Sequence, residues 1–244
     1  MKNEPIISIK NLWKSFGKNE VLKGINLTVN KGEDLVILGR SGSGKSVTIK
    51  CLVSLVEADK GEIKVFGTDI TKLKNHELNP IRVRMGFMFQ NGALYDSMSV
   101  RQNLAFTLKH HTRNLSDQET EEQIIEALES VGLKEAIDKM PSELSGGMVK
   151  RIGLARTLII KPEIILYDEP TSGLDTITSR EISELILSVQ KKYKTTSIII
   201  THDMDCAKRT ANRIMILKDG TMYAEGTYDE LEKSTDEWVR SFFI

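Results

Sequence analysis

The stretch GRSGSGKS, residues 39–46, fits the phosphate-loop pattern G-x-x-x-x-G-K-[ST]. It follows the apolar run Leu35–Leu38, which can form a strand, and precedes Val47–Leu52, which can form a helix. Small residues in such a loop let backbone N–H groups turn toward phosphate oxygens, and the helix N-terminus places a partial positive charge behind them. The stretch therefore predicts a nucleotide site on a strand–loop–helix unit.

Two side chains of this loop have defined tasks in the predicted site. Lys45 can reach the β- and γ-phosphates, and the hydroxyl of Ser46 can lie on Mg²⁺. A plain Gly/Ser loop beside an exposed lysine is the alternative, but it does not account for the flanking strand and helix. The residues predicted to bind the nucleotide are Gly39, Arg40, Ser41, Gly42, Ser43, Gly44, Lys45, Ser46 and Val47.

Bulk composition limits the classes of partner and compartment. The chain has 244 residues, 40% of them hydrophobic, and its 34 basic and 34 acidic residues give a formal net charge of zero. We therefore expect one large domain and no nucleic-acid partner. Cys51 and Cys206 lie far apart and are expected to be free thiols in a reducing compartment. No apolar run approaches the ~18–20 residues that span a bilayer, so we expect a cytoplasmic chain that reaches a membrane through a partner.

The order of predicted elements favours an α/β fold with a helical insertion. Short strands near Ile6–Ile9 and Gly24–Val29 make the first segment β-rich, whereas the pattern from about Asn103 to Ile160 is helical. Short apolar runs then follow, typical of strands buried on both faces, and an amphipathic helix separates the first two of them. These runs are Ile164–Tyr167, Ser197–Ile200 and Ile214–Leu217. The alternation predicts a parallel sheet.

Carboxylates at the end of one of these strands can complete a catalytic site. Asp168 and Glu169 directly follow the apolar run that begins at Ile164. Downstream of a phosphate loop, Asp168 would hold the metal and Glu169 would orient the attacking water or accept its proton. His202 follows the neighbouring strand, where a lone histidine is usually a structural or surface residue. Here we expect it to contact the γ-phosphate and link it to Glu169.

Gln90 closes the predicted strand Met85–Gln90 at the border of the helical insertion. A neutral amide can contact Mg²⁺ or the attacking water without competing as a base. We therefore group Gln90 with Glu169 and His202 as catalytic candidates, and with Ser46 and Asp168 as metal candidates. An ordinary polar loop residue is the alternative for Gln90.

A second predicted anion site precedes the helix Val149–Leu158. It consists of Ser145, Gly146, Gly147 and Met148. A capping serine with a flexible turn is the alternative. One nucleotide can contact both loops if two copies of the chain pack head to tail, so that the loop at Ser145 of one faces the phosphate loop of the other.

The ordered set of motifs resembles the ATPase subunit of ATP-binding-cassette (ABC) transporters over nearly the whole chain. The residues that carry the resemblance are Phe16, GRSGSGKS at 39–46, Gln90, LSGGM at 144–148, YDEP at 167–170, SGLD at 172–175 and His202. The resemblance implies an α/β P-loop NTPase (RecA-like) core with an N-terminal antiparallel β subdomain and an inserted α-helical subdomain at about 91–160, all within one domain, 1–244. ATP and Mg²⁺ are the implied cofactors.

Two further roles follow from the resemblance. Phe16 would stack on adenine, where the family more often has tyrosine, and a core aromatic is the alternative. The loop of Ser172, Gly173, Leu174 and Asp175 would contact the other copy across the dimer.

Met148 departs from the commoner signature LSGGQ and is similar to the ATPases of bacterial Mla-type lipid transport systems. Phe89–Met98 and Arg151 also resemble that subfamily. The implied function is ATP hydrolysis that powers phospholipid transport on the cytoplasmic face of the inner membrane. The implied partners are a second copy, membrane permease subunits, an MCE-type lipid-binding protein and a small regulatory subunit. The apolar tail Trp238–Ile244 is expected to pack on the chain's own core, although docking on a partner is the alternative.

Other readings remain open on the sequence alone. A transporter for an amino acid, ion or drug would share every motif above, because no residue here is expected to touch the cargo. A soluble ABC ATPase of translation or repair would usually carry two cassettes or a long coiled coil, and neither is present in this sequence. A phosphate-loop kinase would have no use for LSGGM.

Overall fold

The computed structural model describes residues 5–112 and 115–243, and its architecture is α/β. Strands and helices alternate after an initial β-rich segment. The strands are β1 (Ile7–Phe16), β2 (Asn19–Val29), β3 (Asp34–Gly39), β4 (Lys60–Val65), β5 (Thr68–Asp69), β6 (Met85–Met88), β7 (Ile164–Asp168), β8 (Thr196–Ile200), β9 (Arg213–Lys218) and β10 (Thr221–Gly226). The helices are α1 (Lys45–Leu52), α2 (Asn75–Arg82), α3 (Val100–His111), α4 (Asp117–Ser130), α5 (Gly146–Leu158), α6 (Thr176–Tyr193), α7 (Met204–Thr210), α8 (Tyr228–Glu232) and α9 (Glu237–Arg240).

The strands form two sheets. The smaller sheet has the order β2-β1-β4-β5 and is antiparallel throughout. The larger sheet has the order β10-β9-β3-β8-β7-β6, and its strands β9, β3, β8, β7 and β6 run parallel to their neighbours. Among the described strands of this sheet, β9 and β10 form the one antiparallel pair. The predicted parallel sheet and the β-rich first segment are therefore confirmed.

The central strands of the larger sheet are buried on both faces. Every residue of β3, β7 and β8 is buried, which explains why these strands read as continuous apolar runs rather than alternating ones. One hydrophobic cluster packs this sheet against the helices, and another packs it against α1 and the antiparallel sheet. Because these strands are parallel, the residues at the carboxyl ends of β3, β7 and β8 lie close together at one edge of the sheet.

Helices α3, α4 and α5 occupy the segment between β6 and β7. Side-chain caps begin each of them: Ser99 accepts from Gln102 N, Ser116 accepts from Glu119 N, and Ser145 accepts from Met148 N. Ser116 also forms a capping box with Glu119, whose carboxylate accepts from Ser116 N. Gly132, with φ +68°, follows the end of α4 in the left-handed region that favours glycine.

Element boundaries differ from the sequence predictions in two instructive places. The strand predicted to close at Gln90 ends at Met88, so Gln90 lies in the following loop. Helix α5 begins at Gly146 rather than Val149, because Ser145 caps it directly before both glycines.

The aromatic tail packs on the chain itself, as predicted. Val239 is buried, and Trp238, Phe242 and Phe243 contact the helical-side hydrophobic cluster. Ile244, which the sequence analysis included in this tail, lies outside the described residues.

Candidate active site

The phosphate loop has the backbone that its glycines predict. Gly39 has φ +155°, and a Cβ there would lie 2.5 Å from Ser43 Oγ and 2.6 Å from Leu217 O, so only glycine fits without a shift. Gly44 caps α1 in the left-handed region with φ 102°, and no side chain caps this helix. The first N–H groups of α1 therefore point toward the loop's interior as donors for an anion.

Lys45 is buried within the loop. Its Nζ donates to Gly39 O at 2.8 Å and to Arg40 O at 3.2 Å. Burial lowers the pKa of the Lys45 ammonium, while the charges of Glu169 and Asp168 oppose that shift. The loop thus holds a buried cation that can pair with a phosphate, and the two nearby carboxylates can share a divalent cation with that phosphate.

A cavity of about 910 Å³ joins most of the predicted site residues. Its walls include Phe16, every residue from Gly39 to Val47, Gln90, Glu169 and His202. Phe16 is 51% exposed at the cavity wall, so the alternative that it is a core aromatic is wrong. The cavity therefore brings the glycine-rich loop and an exposed aromatic ring together around one continuous space.

Ser46 and Asp168 meet beside the loop. Ser46 Oγ donates to Asp168 Oδ1 at 3.0 Å, joining the start of α1 to the end of β7. A hydroxyl and a carboxylate are oxygen ligands of the kind that Mg²⁺ takes together with phosphate oxygens and water. Within residues 5–112 and 115–243 no group of three or more His, Cys, Asp or Glu side chains forms a metal cage. The donor set fits an ion that is shared with a nucleotide.

Glu169 is fixed from several sides. Its backbone has φ 51°, in the left-handed region, and its N–H donates to Ile200 O at 2.8 Å. Its Oε2 lies 2.8 Å from His202 Nδ1 and accepts from His202 N at 3.2 Å. Adjacent parallel strands β7 and β8 place these two residues side by side, as the sequence predicted.

The loop at Ser145 lies apart from the phosphate loop of the same chain. Ser145 and Gly146 are exposed, and none of residues 145–148 lines the 910 Å³ cavity. Gly147 packs instead against the start of α6, because a Cβ on it would lie 2.7 Å from Thr178 Cγ2. The chain therefore does not join its two predicted anion sites by itself.

The loop Ser172–Asp175 lies beside the loop at Ser145. A Cβ on Gly146 would lie 3.6 Å from Leu174 Cδ2. Asp175 begins α6 by accepting from Ile177 N and Thr178 N, both at 3.0 Å. The two loops thus form one surface, built from the N-terminal ends of α5 and α6.

Three residues of the cavity wall were not predicted: Asn19, Val21 and Phe242. Asn19 pairs with Phe16 across the β1–β2 hairpin, so a predicted hairpin at that turn would have located it. No local sequence pattern predicts Phe242 at the cavity, because its position depends on the path of the chain after α9 relative to the phosphate loop.

In the described parts of the chain, no helix has both the length and the apolar character to cross a bilayer.

The profile of the ABC transporter family matches residues 22–172. The chain belongs to this family. It is an ABC ATPase.

Similar proteins support this assignment along most of the chain. The ABC ATPase is 39% identical over 236 residues to a probable ribonucleotide transport ATP-binding protein, mkl, of Mycobacterium leprae, covering 97% of this chain and 68% of that protein. It is 38% identical over 240 residues to the intermembrane phospholipid transport system ATP-binding protein MlaF of Haemophilus influenzae. That alignment covers 98% of this chain and 90% of MlaF. The dimeric ATP-binding cassette MJ0796, solved in a post-hydrolysis state with ADP and Pi, superposes with a TM-score of 0.84 at 32% identity. The superposition covers 91% of this chain and 98% of MJ0796.

Proposed function

We propose that this ABC ATPase hydrolyses ATP to power phospholipid transport through a membrane permease. The observation that carries the catalytic part is the pairing of Glu169 with His202 at the wall of the phosphate-loop cavity. A carboxylate in that position can accept a proton from a water molecule that attacks the γ-phosphorus, with ADP as the leaving group.

The remaining site residues receive roles that their positions support. Lys45 binds the β- and γ-phosphates, and the exposed ring of Phe16 stacks on adenine. Ser46, Asp168 and Gln90 would hold Mg²⁺, which supplies charge neutralisation at the phosphates when it is bound. His202 orients Glu169 and contacts the γ-phosphate. Nucleotide binding is assigned to the whole stretch Gly39–Val47.

The complete site in this proposal is shared between two copies packed head to tail. Ser145, Gly146, Gly147 and Met148 of one copy would contact the ATP held by the other, and the loop Ser172–Asp175 would contact the partner beside them. The separation of the two anion sites within one chain supports this arrangement. The γ-phosphate would then contact both chains, so its loss would remove the interactions that favour the closed dimer.

The domain assignment belongs to the same proposal. Residues 1–244 form one nucleotide-binding domain, and about 91–160 form its helical signature subdomain. The position of α3, α4 and α5 between β6 and β7 supports this division.

The cargo assignment rests on similarity to MlaF over nearly the full length of both chains, together with Met148 in the signature loop. The proposed partners are permease subunits, an MCE-type lipid-binding protein and a small regulatory subunit, with the ATPase on the cytoplasmic face of the inner membrane. Transport of another cargo is the second candidate, favoured by the similarity to mkl.

The Glu169→Gln substitution tests the catalytic part. It keeps the shape of the side chain and removes its basicity, so we expect kcat to fall by about 10²–10⁴-fold while ATP binding persists. Size-exclusion chromatography with ATP should then show a trapped dimer. Glu163→Gln is the matched control, because Glu163 lies before the opposite end of β7 and pairs with Arg84. A Glu169→Gln protein that stays monomeric and turns over normally contradicts the proposal.

Purification of the ATPase with its membrane partners tests the cargo. The complex is reconstituted into vesicles that contain fluorescent phospholipid, and lipid transfer is followed with and without ATP. ATP-dependent transfer that the Glu169→Gln variant lacks supports the lipid assignment. ATPase activity stimulated by an amino acid or ribonucleotide, without lipid transfer, supports the second candidate.

A further inference from the structure

Lys150 is a buried lysine in the second turn of α5, the helix that Ser145 caps. Only 5% of its surface is exposed. Among the residues that the structure describes, no carboxylate oxygen lies within 4.0 Å of its Nζ. Burial of an ammonium group without a paired carboxylate is unfavourable unless its hydrogen bonds compensate. The hydrogen bonds of Lys150 Nζ must therefore offset the cost of burying its charge.

The Nζ of Lys150 contacts the three loops around the catalytic centre. It donates to Gln90 O, to Glu169 O at 3.1 Å, and it lies 3.5 Å from Ser172 Oγ. These acceptors belong to the loop after β6, the residue that follows β7, and the loop that precedes α6. One cation thus fastens all three segments to the helix that carries the loop at Ser145.

The contact with Glu169 has a specific structural consequence. A non-glycine residue in the left-handed region costs about 1–2 kcal/mol and persists only where its surroundings hold it. The Glu169 carbonyl accepts from Lys150 Nζ and from Ser172 N, the latter at 3.2 Å. Because the carbonyl direction and the side-chain direction are set by the same backbone dihedrals, this contact helps to aim the Glu169 carboxylate at His202.

Packing alone does not explain a lysine at this position. Burial lowers the pKa of Lys150, and the charges of Glu169 and Asp168 oppose that shift. An apolar side chain of similar length would fill the same space with a smaller desolvation cost. The hydrogen bonds from the ammonium group, rather than the volume of the side chain, therefore account for a lysine at this position.

We propose that Lys150 is a positioning residue for ATP hydrolysis: it holds Glu169 in its catalytic orientation and links that orientation, and the loop at Gln90, to the position of α5. This proposal rests on the role given to Glu169 under the proposed function. Since Ser145 and Lys150 lie on the same short helix segment, movement of the loop at Ser145 onto a nucleotide would be transmitted directly to the Glu169 carbonyl.

The test compares Lys150→Met with Lys150→Arg in the full chain. Methionine preserves most of the volume and removes the donor, so kcat should fall by about 10–100-fold, as expected when a catalytic group is misplaced. The KM for ATP and the calorimetric Kd should stay within about twofold, since the phosphate loop is unchanged. Arginine retains a buried cationic donor and should keep kcat within about fivefold of the parent.

Lys161→Met is the matched control. Lys161 lies beyond the end of α5, is mostly exposed, pairs with Glu126 at 3.3 Å, and does not line the cavity. Its kcat should equal that of the parent. A merely structural role for Lys150 predicts a lower melting temperature with an unchanged kcat per folded molecule, and that result overturns the proposal.

A replacement variant and a comparison with Glu169→Gln complete the test. If Lys150→Met does not fold, Lys150→Leu, which also lacks a donor, replaces it. The proposal then requires a kcat at least about tenfold below that of Lys150→Arg at equal ATP affinity; equal kcat values overturn it. The Glu169→Gln variant is measured alongside. Normal turnover by Glu169→Gln defeats the proposed function itself, whereas an inactive Glu169→Gln with a fully active Lys150→Met defeats only the role of Lys150.

Discussion

His202 Nδ1 lies 2.8 Å from Glu169 Oε2, and the backbone N–H of His202 donates to the same oxygen at 3.2 Å. Two contacts from one residue thus fix a single carboxylate oxygen. In the part of the chain that the structure describes, Oε1 has no hydrogen-bond partner and is the oxygen available to a water molecule. Strand pairing sets this geometry, because β7 and β8 run side by side and end together.

Replacing His202 should impair turnover more than binding. His202→Ala removes the side-chain contact to Oε2, and we expect kcat to fall by about 10–100-fold. His202→Gln can still donate from its amide and should retain more activity than His202→Ala. Steady-state ATPase assays with calorimetric ATP binding test this pair. Equal kcat for His202→Ala and the parent would contradict the role of this contact.

Lys45→Ala should weaken nucleotide binding itself. A charge-assisted hydrogen bond contributes about 1.5–3 kcal/mol, so the Kd for ATP should rise by about 10–100-fold. Lys50→Ala is the matched control, since Lys50 lies in the last turn of the same helix and does not line the cavity. Titration calorimetry compares both variants. An unchanged ATP affinity for Lys45→Ala would remove the phosphate-binding role from this loop.

Phe16 is expected to recognise the base rather than the phosphates. Loss of a base–aromatic stack costs about 1–3 kcal/mol, so Phe16→Ala should weaken ATP binding by at least about fivefold. Binding of inorganic tripolyphosphate, which lacks adenine, should not change. Phe16→Tyr retains the stacking ring and should bind ATP as the parent does. Equal weakening toward both ligands would show that the substitution disturbs the loop instead.

Asp34 gives the folded state a distinct dependence on pH. Burial raises the pKa of this carboxyl from 3.8 to about 6, with the charge of Glu33 adding to the shift, and the residue is only 2% exposed. Between about pH 4 and 6 the folded state therefore binds more protons than the unfolded state, so the stability contributed by this group is lost as the pH rises through about 6.

The Asp34→Asn substitution removes that titration. Relative to the variant, the parent should lose up to about 3 kcal/mol of unfolding free energy between pH 4 and pH 7. Urea unfolding of both proteins across this range measures the difference, and the other carboxylates cancel in the comparison. A difference that stays constant with pH would contradict the raised pKa.

The main elements could be predicted from the sequence because their signals are local. The strands β3, β7 and β8 are buried on both faces, so each appears in the sequence as an apolar run. The glycines of the phosphate loop adopt positive φ angles that only the local loop conformation requires. The sequence located the residues of the cavity wall from Gly39 to Val47 for the same reason. A cap at Ser145 is one alternative on the sequence, but glycine is a poor helix former, so the sequence predicts that the helix begins after Gly146 and Gly147.

Other features depend on contacts that are distant in sequence. Lys150 reads as a solvent-exposed lysine on a helix, and only the approach of the loops at Gln90, Glu169 and Ser172 buries it. Phe242 reaches the cavity because the tail folds back along the core. Strand β1 extends to Phe16, beyond its predicted end, because irregularities in its pairing near Leu12 hide the alternation that would mark it.

The central claim is that two copies of this chain complete each ATP site, and a crystal structure of the Glu169→Gln variant with ATP and Mg²⁺ tests it most directly. We expect the γ-phosphate to contact Lys45 of one protomer and Ser145 of the partner subunit. A triphosphate held by a single chain, with residues 145–147 turned away from every bound nucleotide, would contradict the account.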